Sequence, residues 1–342
     1  MFGLSRHTAV VRVLLVFLLL VCLFVPLRSL RGQETSSPLK VVATFSIIGD
    51  MVKVIGGNRV DLVVLLGPDG DMHTYEPTPR DVQAISTADI VFANGLNFET
   101  WLNRVVESAS YKGELVTLTQ GITPRLLTPQ AQRENQTSQP LNEAENNQDQ
   151  PLEVSDIDPH AWQSLKNGIV YAKNVRDALS RIDPRHAREY RDRAAKYIEQ
   201  MERLDQGIWA KLASISPEKR LIITAHDAFG YFGQEYGLRF MALMGLSSEA
   251  EPSAGELAAL VEEIKQHPGA VVFSERSTNP RLVEQIARET GAKVGGVLYS
   301  DALGNADEPG GTYLGMMSWN AGQIIYGFNP ADVVPDLSVE AL

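Results

Sequence analysis

Four residues of this chain combine metal-binding side chains with positions beside predicted strand ends: His73, His160, His226 and Asp301. The carboxyl ends of strands in an open α/β sheet form the crevice in which ligands bind. Three imidazoles and one carboxylate are enough to close a four-coordinate site on a transition metal. The set therefore predicts a binding site for one divalent metal ion.

Each of these residues has a plainer interpretation when it is taken alone. His73 could be a solvated loop residue, and His160 could be a turn residue that packs on Trp162. His226 could lie at the start of a helix and be satisfied by capping, and Asp301 could cap a turn. The prediction depends on the set, because sequence spacing cannot prove that distant residues meet.

Two further acids could support the histidines. Asp158, in DIDPHAW, could accept a hydrogen bond that fixes the tautomer of His160. Glu275, in VVFSERS, could do the same in the second half of the chain, or could act as a base. The remaining histidines, His7, His186 and His267, are predicted to have no part in the site.

A zinc hydrolase is the alternative to a protein that only captures the metal. In it the three histidines would hold the metal, a water would fill the fourth position, and Asp301 or Glu275 would act as base. The sequence contains no CxxC pair, HExxH helix, GxSxG elbow or Walker-type glycine loop. The short motifs of zinc fingers, zincins, hydrolases and nucleotide enzymes are therefore missing, and we predict a binding protein that is not an enzyme.

The elements that must position these residues alternate between strand and helix from Leu39 onward, which predicts parallel sheets with helices on both faces. The predicted strands cover 41–45, 60–66, 89–93, 220–224, 238–243, 270–273 and 293–298. The predicted helices cover 47–55, 79–88, 99–108, 167–181, 183–213, 254–266, 281–290 and 312–326, with one more from Ala228.

These elements form two series separated by one long helix. We predict an α/β protein with an N-terminal lobe at 39–182, a linking helix at 183–213 and a C-terminal lobe at 214–342. Asp183 and Pro184 are predicted to begin the linking helix, which spans roughly 45 Å at about 1.5 Å per residue. Residues 128–157 are rich in Gln, Asn, Glu, Ser and Pro, which predicts a flexible surface insertion.

Residues 1–32 have the layout of a secretory signal, with an apolar run from Val13 to Leu27 between arginines. This predicts a periplasmic or otherwise extracytoplasmic protein. An uncleaved anchor and lipid attachment at Cys22 are the alternatives. The net charge of −11 argues against nucleic acid as a partner, and we expect a monomer.

Several longer phrases carry a family resemblance: HTYEPTPRDV from His73, NGLNFETWL from Asn94, DPHAWQSLKNGIVYAKNV from Asp158, ITAHDAFGYFGQEYGL from Ile223 and GGTYLGMMSWN from Gly310. They resemble the metal-binding solute-binding proteins of zinc and manganese ABC importers, from about Val41 to Phe328. The resemblance implies two lobes joined by a rigid helix, one divalent metal in the cleft, and delivery of that metal to a membrane permease.

Carried over by position, the resemblance makes His73 and His160 the ligands from the N-terminal lobe, and His226 and Asp301 those from the C-terminal lobe. A histidine at position 226 resembles zinc carriers, and some carriers that accept both metals, whereas manganese carriers have glutamate. Many zinc carriers have a histidine-rich insertion, and 128–157 contains no histidine. We predict Zn²⁺ as the favoured ligand because of the histidine at position 226. The missing histidine-rich insertion leaves Mn²⁺ as the alternative. Some relatives are adhesins, which is a further alternative.

Overall fold

Two parallel sheets of four strands each organise the chain. The computed structural model describes residues 37–127, 157–213, 215–216, 220–245, 253–276 and 278–329. The first sheet contains β1 (Leu39–Phe45), β2 (Val60–Leu66), β3 (Ile90–Ala93) and β4 (Glu114–Thr117) in the order β2-β1-β3-β4. The second contains β5 (Leu221–Thr224), β6 (Arg239–Ala242), β7 (Val271–Glu275) and β8 (Lys293–Leu298) in the order β6-β5-β7-β8.

The helices of the first lobe are α1 (Ser46–Gly56), α2 (Pro79–Ser86), α3 (Leu102–Ser108) and α4 (Leu165–Ile182). A long helix, α5 (Ala187–Leu212), follows them. Those of the second lobe are α6 (Gly230–Tyr236), α7 (Ala254–Lys265), α8 (Arg281–Thr290) and α9 (Tyr313–Phe328). The predicted fold class, with two α/β lobes of parallel sheet flanked by helices, is confirmed.

Both sheets have the same strand order. In each sheet the first strand of the lobe lies between the second and the third strands. A parallel sheet has its ligand crevice outside the carboxyl ends of its strands, where the connections diverge to opposite faces. In the first lobe the loop after β2 leads to α2, and in the second lobe the loops after β5 and β8 lie at the corresponding edge. Each of these three loops therefore lies at the carboxyl edge of its own sheet.

Helix α5 buries one face along its whole length. The buried residues recur at helical spacing: Ala187, Tyr190, Ala194, Tyr197, Met201, Leu204, Ile208 and Leu212. The helix packs against α1 and α4 of the first lobe and against α6 and α9 of the second. An apolar stripe that contacts elements of both lobes holds them together through one helix.

The predicted start of this helix at Asp183 is wrong. The backbone N–H of Asp183 donates to Leu179 O and so completes α4, and His186 N donates to Asp183 O in the turn that follows. The carboxylate of Asp183 accepts a hydrogen bond of 2.8 Å from the Tyr190 hydroxyl. Asp183 and Pro184 therefore form the turn between two helices, and α5 begins at Ala187.

The cores of the lobes are not separate. One cluster of buried side chains includes Phe45 from β1, Trp162, Tyr197 from α5, Phe273 from β7 and Tyr313 from α9. A second, smaller cluster lies beneath the other face of the second sheet, around Ile223, Val272 and Ile286. Since the larger cluster crosses from one lobe to the other, the lobes share apolar packing as well as the long helix.

Other boundaries shift by a few residues. Strand β4 was not predicted, because its short segment alternates between half-buried and exposed residues at the edge of the sheet. Strand β7 extends two residues further than predicted, so that Glu275 ends a buried strand. Helix α6 begins at Gly230 rather than at Ala228.

Two predictions concern residues that lie partly or wholly outside this description. The predicted leader, 1–32, and most of the predicted insertion, 128–156, lie outside the described residues. The two ends of that insertion are paired, because Leu126 and Ile157 form an antiparallel bridge. In the described part of the chain, no helix combines the length and apolar character that a membrane span requires.

Candidate metal centre

The side chains of His73, His160, His226 and Asp301 converge at one point, and each offers an atom within 4.8 Å of those of the others. The Nε2 atom of His226 lies 3.0 Å from Asp301 Oδ2. The Nε2 atoms of His73 and His160 each lie 3.5 Å from a carboxylate oxygen of Asp301. In a tetrahedral site with bonds of about 2.1 Å, neighbouring ligand atoms are about 3.4 Å apart, so the spacing fits a metal ion.

The atoms that face this point are buried and lack hydrogen bonds within the described structure. They are Nε2 of His73, His160 and His226, together with Oδ1 of Asp301. Buried polar atoms without partners cost about 1–3 kcal/mol each, so proteins rarely keep several together. A metal ion would satisfy all four at once, which makes the residues a fitting ligand set.

His73 lies in the loop between β2 and α2, as predicted. Its backbone N–H donates to Asp71 Oδ1 at 2.8 Å, a local turn that fixes the direction of the side chain. Met72, next to it, is buried and anchors the loop in the core. Helix α2 then begins at a capping box between Thr78 and Asp81, which defines where the loop ends.

His160 precedes a short 3-10 turn, Ala161–Gln163, that leads into α4. Its Nδ1 lies 2.8 Å from Asp158 Oδ1, and its backbone N–H donates to the same oxygen at 3.0 Å. A carboxylate at Nδ1 holds the tautomer that leaves Nε2 free to bind a metal. The structure therefore places Asp158 where the sequence predicted it, directly behind His160.

Asp158 has a second partner that the sequence did not suggest. The Nη1 atom of Arg125 donates to Asp158 Oδ2 at 2.8 Å. Gly230, at the start of α6, allows this approach, because a Cβ atom there would lie 2.1 Å from Arg125 Nη1 and 2.7 Å from Asp158 Oδ2. Arg125 compensates the buried charge of Asp158, and only the fold brings the two residues and the glycine together.

His226 follows β5, and Glu275 at the end of the neighbouring strand β7 lies behind it. Glu275 Oε1 accepts the backbone N–H of His226 at 3.0 Å. Glu275 Oε2 lies 2.6 Å from His226 Nδ1, and both side chains are buried. Glu275 thus stands behind His226 as Asp158 stands behind His160.

The charges around His226 and Asp301 shift the proton equilibria of both. Burial disfavours the charged imidazolium, but the carboxylates of Glu275 and Asp301 outweigh it and raise the pKa of His226 well above its ordinary value. Burial likewise disfavours the ionised carboxylate of Asp301, but His226 and the other two imidazoles hold the pKa of Asp301 well below its ordinary value. Without metal, a proton on His226 neutralises part of the buried negative charge.

Aromatic rings cover one side of the histidines. The ring of Phe98 meets that of His73 edge-on, with centroids 5.6 Å apart, and that of His160 with centroids 6.0 Å apart. Trp162 packs on His160 at 5.3 Å and donates its Nε1–H to Ser300 O at 2.9 Å, next to Asp301. Phe98 was not predicted as part of the site, although it lies within the phrase NGLNFETWL.

The plainer interpretations are answered in part. His160 does pack on Trp162, yet its Nε2 still points to the cluster. His226 does not cap a helix, since Phe229 is the N-cap residue of α6. His186 contacts Asp183 and His267 contacts Glu263 O, so neither joins the cluster. The sixth histidine, His7, lies outside the described residues.

Comparison with known proteins identifies the family. The family model described as zinc-uptake complex component A, periplasmic, matches residues 41–327. The iron ABC transporter substrate-binding lipoprotein MtsA of Streptococcus pyogenes is 31% identical over 320 residues, which cover 91% of this chain and 94% of MtsA. The manganese-binding lipoprotein MntA of Halalkalibacterium halodurans is 31% identical over 298 residues, which cover 87% of this chain and 91% of MntA.

A solved structure shows the same fold. The periplasmic zinc-binding protein TroA of Treponema pallidum superposes with a TM-score of 0.73 at 32% identity, over 86% of this chain and 99% of TroA. The names of these three relatives mention iron, manganese and zinc, so the family is common to them while the metal differs. The chain belongs to this family, the metal-binding substrate-binding proteins of ABC transporters.

Proposed function

We propose that this chain binds one divalent transition metal through His73, His160, His226 and Asp301 and delivers it to the membrane permease of an ABC importer. The observation that carries the proposal is the convergence of four buried ligand atoms that lack other partners. Two of the ligands come from each sequence half, so the metal itself ties the lobes together.

The buried charges favour an ion of charge +2. Asp158 is paired with Arg125, which leaves the carboxylates of Glu275 and Asp301 near the histidines. Three neutral imidazoles add no charge, so a divalent ion neutralises the two carboxylates. Because an uncompensated charge in a buried site is costly, a trivalent ion fits this set less well. For iron, we therefore expect Fe²⁺ rather than Fe³⁺ to bind.

Among divalent ions, we propose that zinc binds more tightly than manganese. Three nitrogen donors and one carboxylate suit zinc. Affinity for such a donor set rises from Mn²⁺ through Fe²⁺ to a maximum at copper and remains high at Zn²⁺. The names of relatives divide among the three metals, so this preference rests on the donor set of the chain itself. Availability in the cell decides which metal a carrier meets.

The hydrolase alternative requires a base that is free to act on a metal-bound water. Glu275 is buried and accepts the backbone N–H of His226, while Asp301 lies at the centre of the three histidines. Both candidate bases are therefore engaged in holding the cluster, and transport remains the function that the geometry supports best.

The remaining expectations follow from that role. We propose an extracytoplasmic monomer whose lobes cover approximately 39–182 and 214–342. Relatives named as lipoproteins make a lipid anchor a reasonable alternative to a free periplasmic protein. In either case the cleft would face the permease that accepts the metal.

The test is direct binding. Protein purified without chelator is analysed for bound metal, and zinc and manganese are then titrated against a chromogenic chelator. We expect one equivalent of metal and tighter binding of zinc than of manganese. The variants His73→Ala, His160→Ala, His226→Ala and Asp301→Ala should each lose more than about 100-fold in affinity. That loss exceeds the one expected when only a supporting residue is removed. The His186→Ala variant is the matched control, because His186 lies outside the cluster. Unchanged affinity in any one of the four would remove that residue from the ligand set.

A further inference from the structure

A network of charged and polar groups lies beside the metal centre and connects the loops that carry His73 and Asp301. Its members are Asp69, Arg276, Leu303, Asn305 and Glu308, and we call it the Asp69 junction. Asp69 precedes His73 by four residues, and the other members belong to the second lobe. None of them is a proposed metal ligand.

The carboxylate of Asp69 is the hub of the junction. It accepts hydrogen bonds from Arg276 Nε at 2.7 Å and from Arg276 Nη2 at 3.3 Å, which is the two-point geometry that a guanidinium favours. Asn305 Nδ2 donates to the same carboxylate at 3.2 Å. The backbone N–H of Asp69 donates to Leu303 O at 2.9 Å. Four donor–acceptor contacts therefore join this one residue to the second lobe.

Arg276 is itself held in place on the second lobe. Its Nη2 donates to Glu308 Oε1 at 2.6 Å, and its guanidinium lies 5.8 Å from the centre of the Tyr299 ring. Its backbone N–H donates to Leu298 O at 3.0 Å. Arg276 directly follows Glu275, and Tyr299 precedes Asp301 by two residues. The arginine is thus fixed to the same framework that positions two residues of the metal centre.

Asp69 adopts a backbone conformation that needs such support. Its φ angle is +57°, in the left-handed region that most residues other than glycine avoid. Aspartate and asparagine are the residues that tolerate it best, at a modest energetic cost. The contacts of the Asp69 junction offset that cost and hold the loop in one arrangement.

We propose that the Asp69–Arg276 pair is a positioning element, which keeps the His73 loop against the second lobe and so slows metal release. The inference rests on the proposed function. His73 Nε2 lies 3.5 Å from Asp301 Oδ2, so any outward movement of the loop removes one ligand from the centre. Metal leaves more readily when one of its four ligands is withdrawn first.

The size of the effect is modest because the junction is partly exposed. The side chains of Arg276 and Asp69 are 34% and 36% exposed to solvent. Single exposed ion pairs contribute little, and networks with two-point arginine geometry contribute more. Met72 and the Asp71 turn still anchor the loop when the pair is broken. We therefore expect release to be about five-fold faster without the pair, rather than a loss of binding.

The experiment measures zinc dissociation by stopped flow, with the loaded full-length protein mixed into excess chromogenic chelator. The variants are Arg276→Gln, Asp69→Asn and the two together. Asparagine keeps the left-handed backbone accessible, so Asp69→Asn tests the charge and not the turn. We expect each single variant to release zinc about five-fold faster than the wild type, the double variant to be no faster than either, and the association rate to change less than about two-fold.

Two further variants separate positioning from general stability. Arg276→Lys keeps the charge but loses the two-point geometry, and an intermediate rate is expected. Arg239→Gln breaks an exposed pair of the same type, Arg239–Glu263 at 2.8 Å, which lies away from the metal centre within the second lobe. Its dissociation rate should equal that of the wild type. Thermal unfolding of each metal-free variant confirms that the fold is intact.

Each outcome decides one question. Equal dissociation rates in the wild type and Arg276→Gln overturn the proposal, and so does an equal acceleration in Arg239→Gln. A wild-type protein that binds no zinc would instead contradict the proposed function. Binding of zinc by the wild type therefore separates a failure of the proposed function from a failure of this proposal.

Discussion

Replacing Glu275 with glutamine should weaken zinc binding by changing what stands behind one ligand. Glu275 presents one oxygen to the backbone N–H of His226, at 3.0 Å, and the other to its ring Nδ1, at 2.6 Å. Both side chains are fully buried. Glutamine has a single acceptor oxygen, so in the Glu275→Gln variant it can accept from only one of these two nitrogens.

The magnitude follows from this mismatch. If the amide NH₂ faces Nδ1, the ring shifts to the tautomer whose Nε2 carries the proton and cannot bind metal. If it faces the backbone, a buried N–H loses its partner, at about 1–3 kcal/mol. The first arrangement lowers metal affinity directly and the second lowers the stability of the loop, and we expect a loss of affinity of about 10- to 100-fold, the usual effect of removing such a supporting partner.

The pH dependence gives the second readout. Since the carboxylates of Glu275 and Asp301 outweigh burial and raise the pKa of His226, zinc and a proton compete for this imidazole. Affinity in the wild type should therefore fall with decreasing pH, by about ten-fold per pH unit below that pKa. In Glu275→Gln the pKa of His226 is lower, so the fall should begin at lower pH.

Competition titrations with a chromogenic chelator between about pH 6 and pH 9 measure both effects. The control is Asp50→Asn, because Asp50 also accepts a backbone N–H, from Tyr313 at 2.9 Å, but stands outside the cluster. A Glu275→Gln variant with wild-type affinity and an unchanged pH profile would refute the supporting role of Glu275.

Three further predictions address the metal, the lobes and the insertion. His226→Glu should reduce the preference for zinc over manganese, because an oxygen donor replaces nitrogen, and competition titrations with both metals would show an unchanged ratio if His226 does not set selectivity. Scattering curves of metal-free and metal-loaded protein should nearly coincide, since the larger core cluster and α5 join the lobes; marked compaction on loading would contradict this. Deleting residues 128–153 should leave folding and zinc affinity intact, because the chain on either side is already paired at Leu126 and Ile157, and a loss of tight binding would show that the site is misplaced.

The boundaries of several elements were predictable from local sequence. Strand β2 at Val60–Leu66, strand β8 at Lys293–Leu298 and helix α8 at Arg281–Thr290 have their predicted bounds. Apolar runs and helical periodicity are local signals, and they do not depend on distant contacts. The family resemblance was confirmed as well, because its phrases are long and distributed over most of the chain.

Local patterns misled where two elements compete for one residue. Asp183 followed by Pro184 is a common beginning of a helix, but the N–H of Asp183 completes the preceding helix instead. Strand β4 has no apolar run, and its pairing with β3 decides its conformation. In both cases a neighbouring element supplies the hydrogen bond that the sequence alone leaves unassigned.

The sequence by itself shows which side chains are able to bind a metal, and the resemblance predicts which four form the site. Only the tertiary structure decided how they meet and what surrounds them. Arg125 reaches Asp158 across the ends of the insertion, Phe98 covers two histidines, and Asp69 meets Arg276 from 207 residues away. Such contacts leave no periodic trace in a sequence, because the packing of sheets and helices, and not chain proximity, brings these residues into reach.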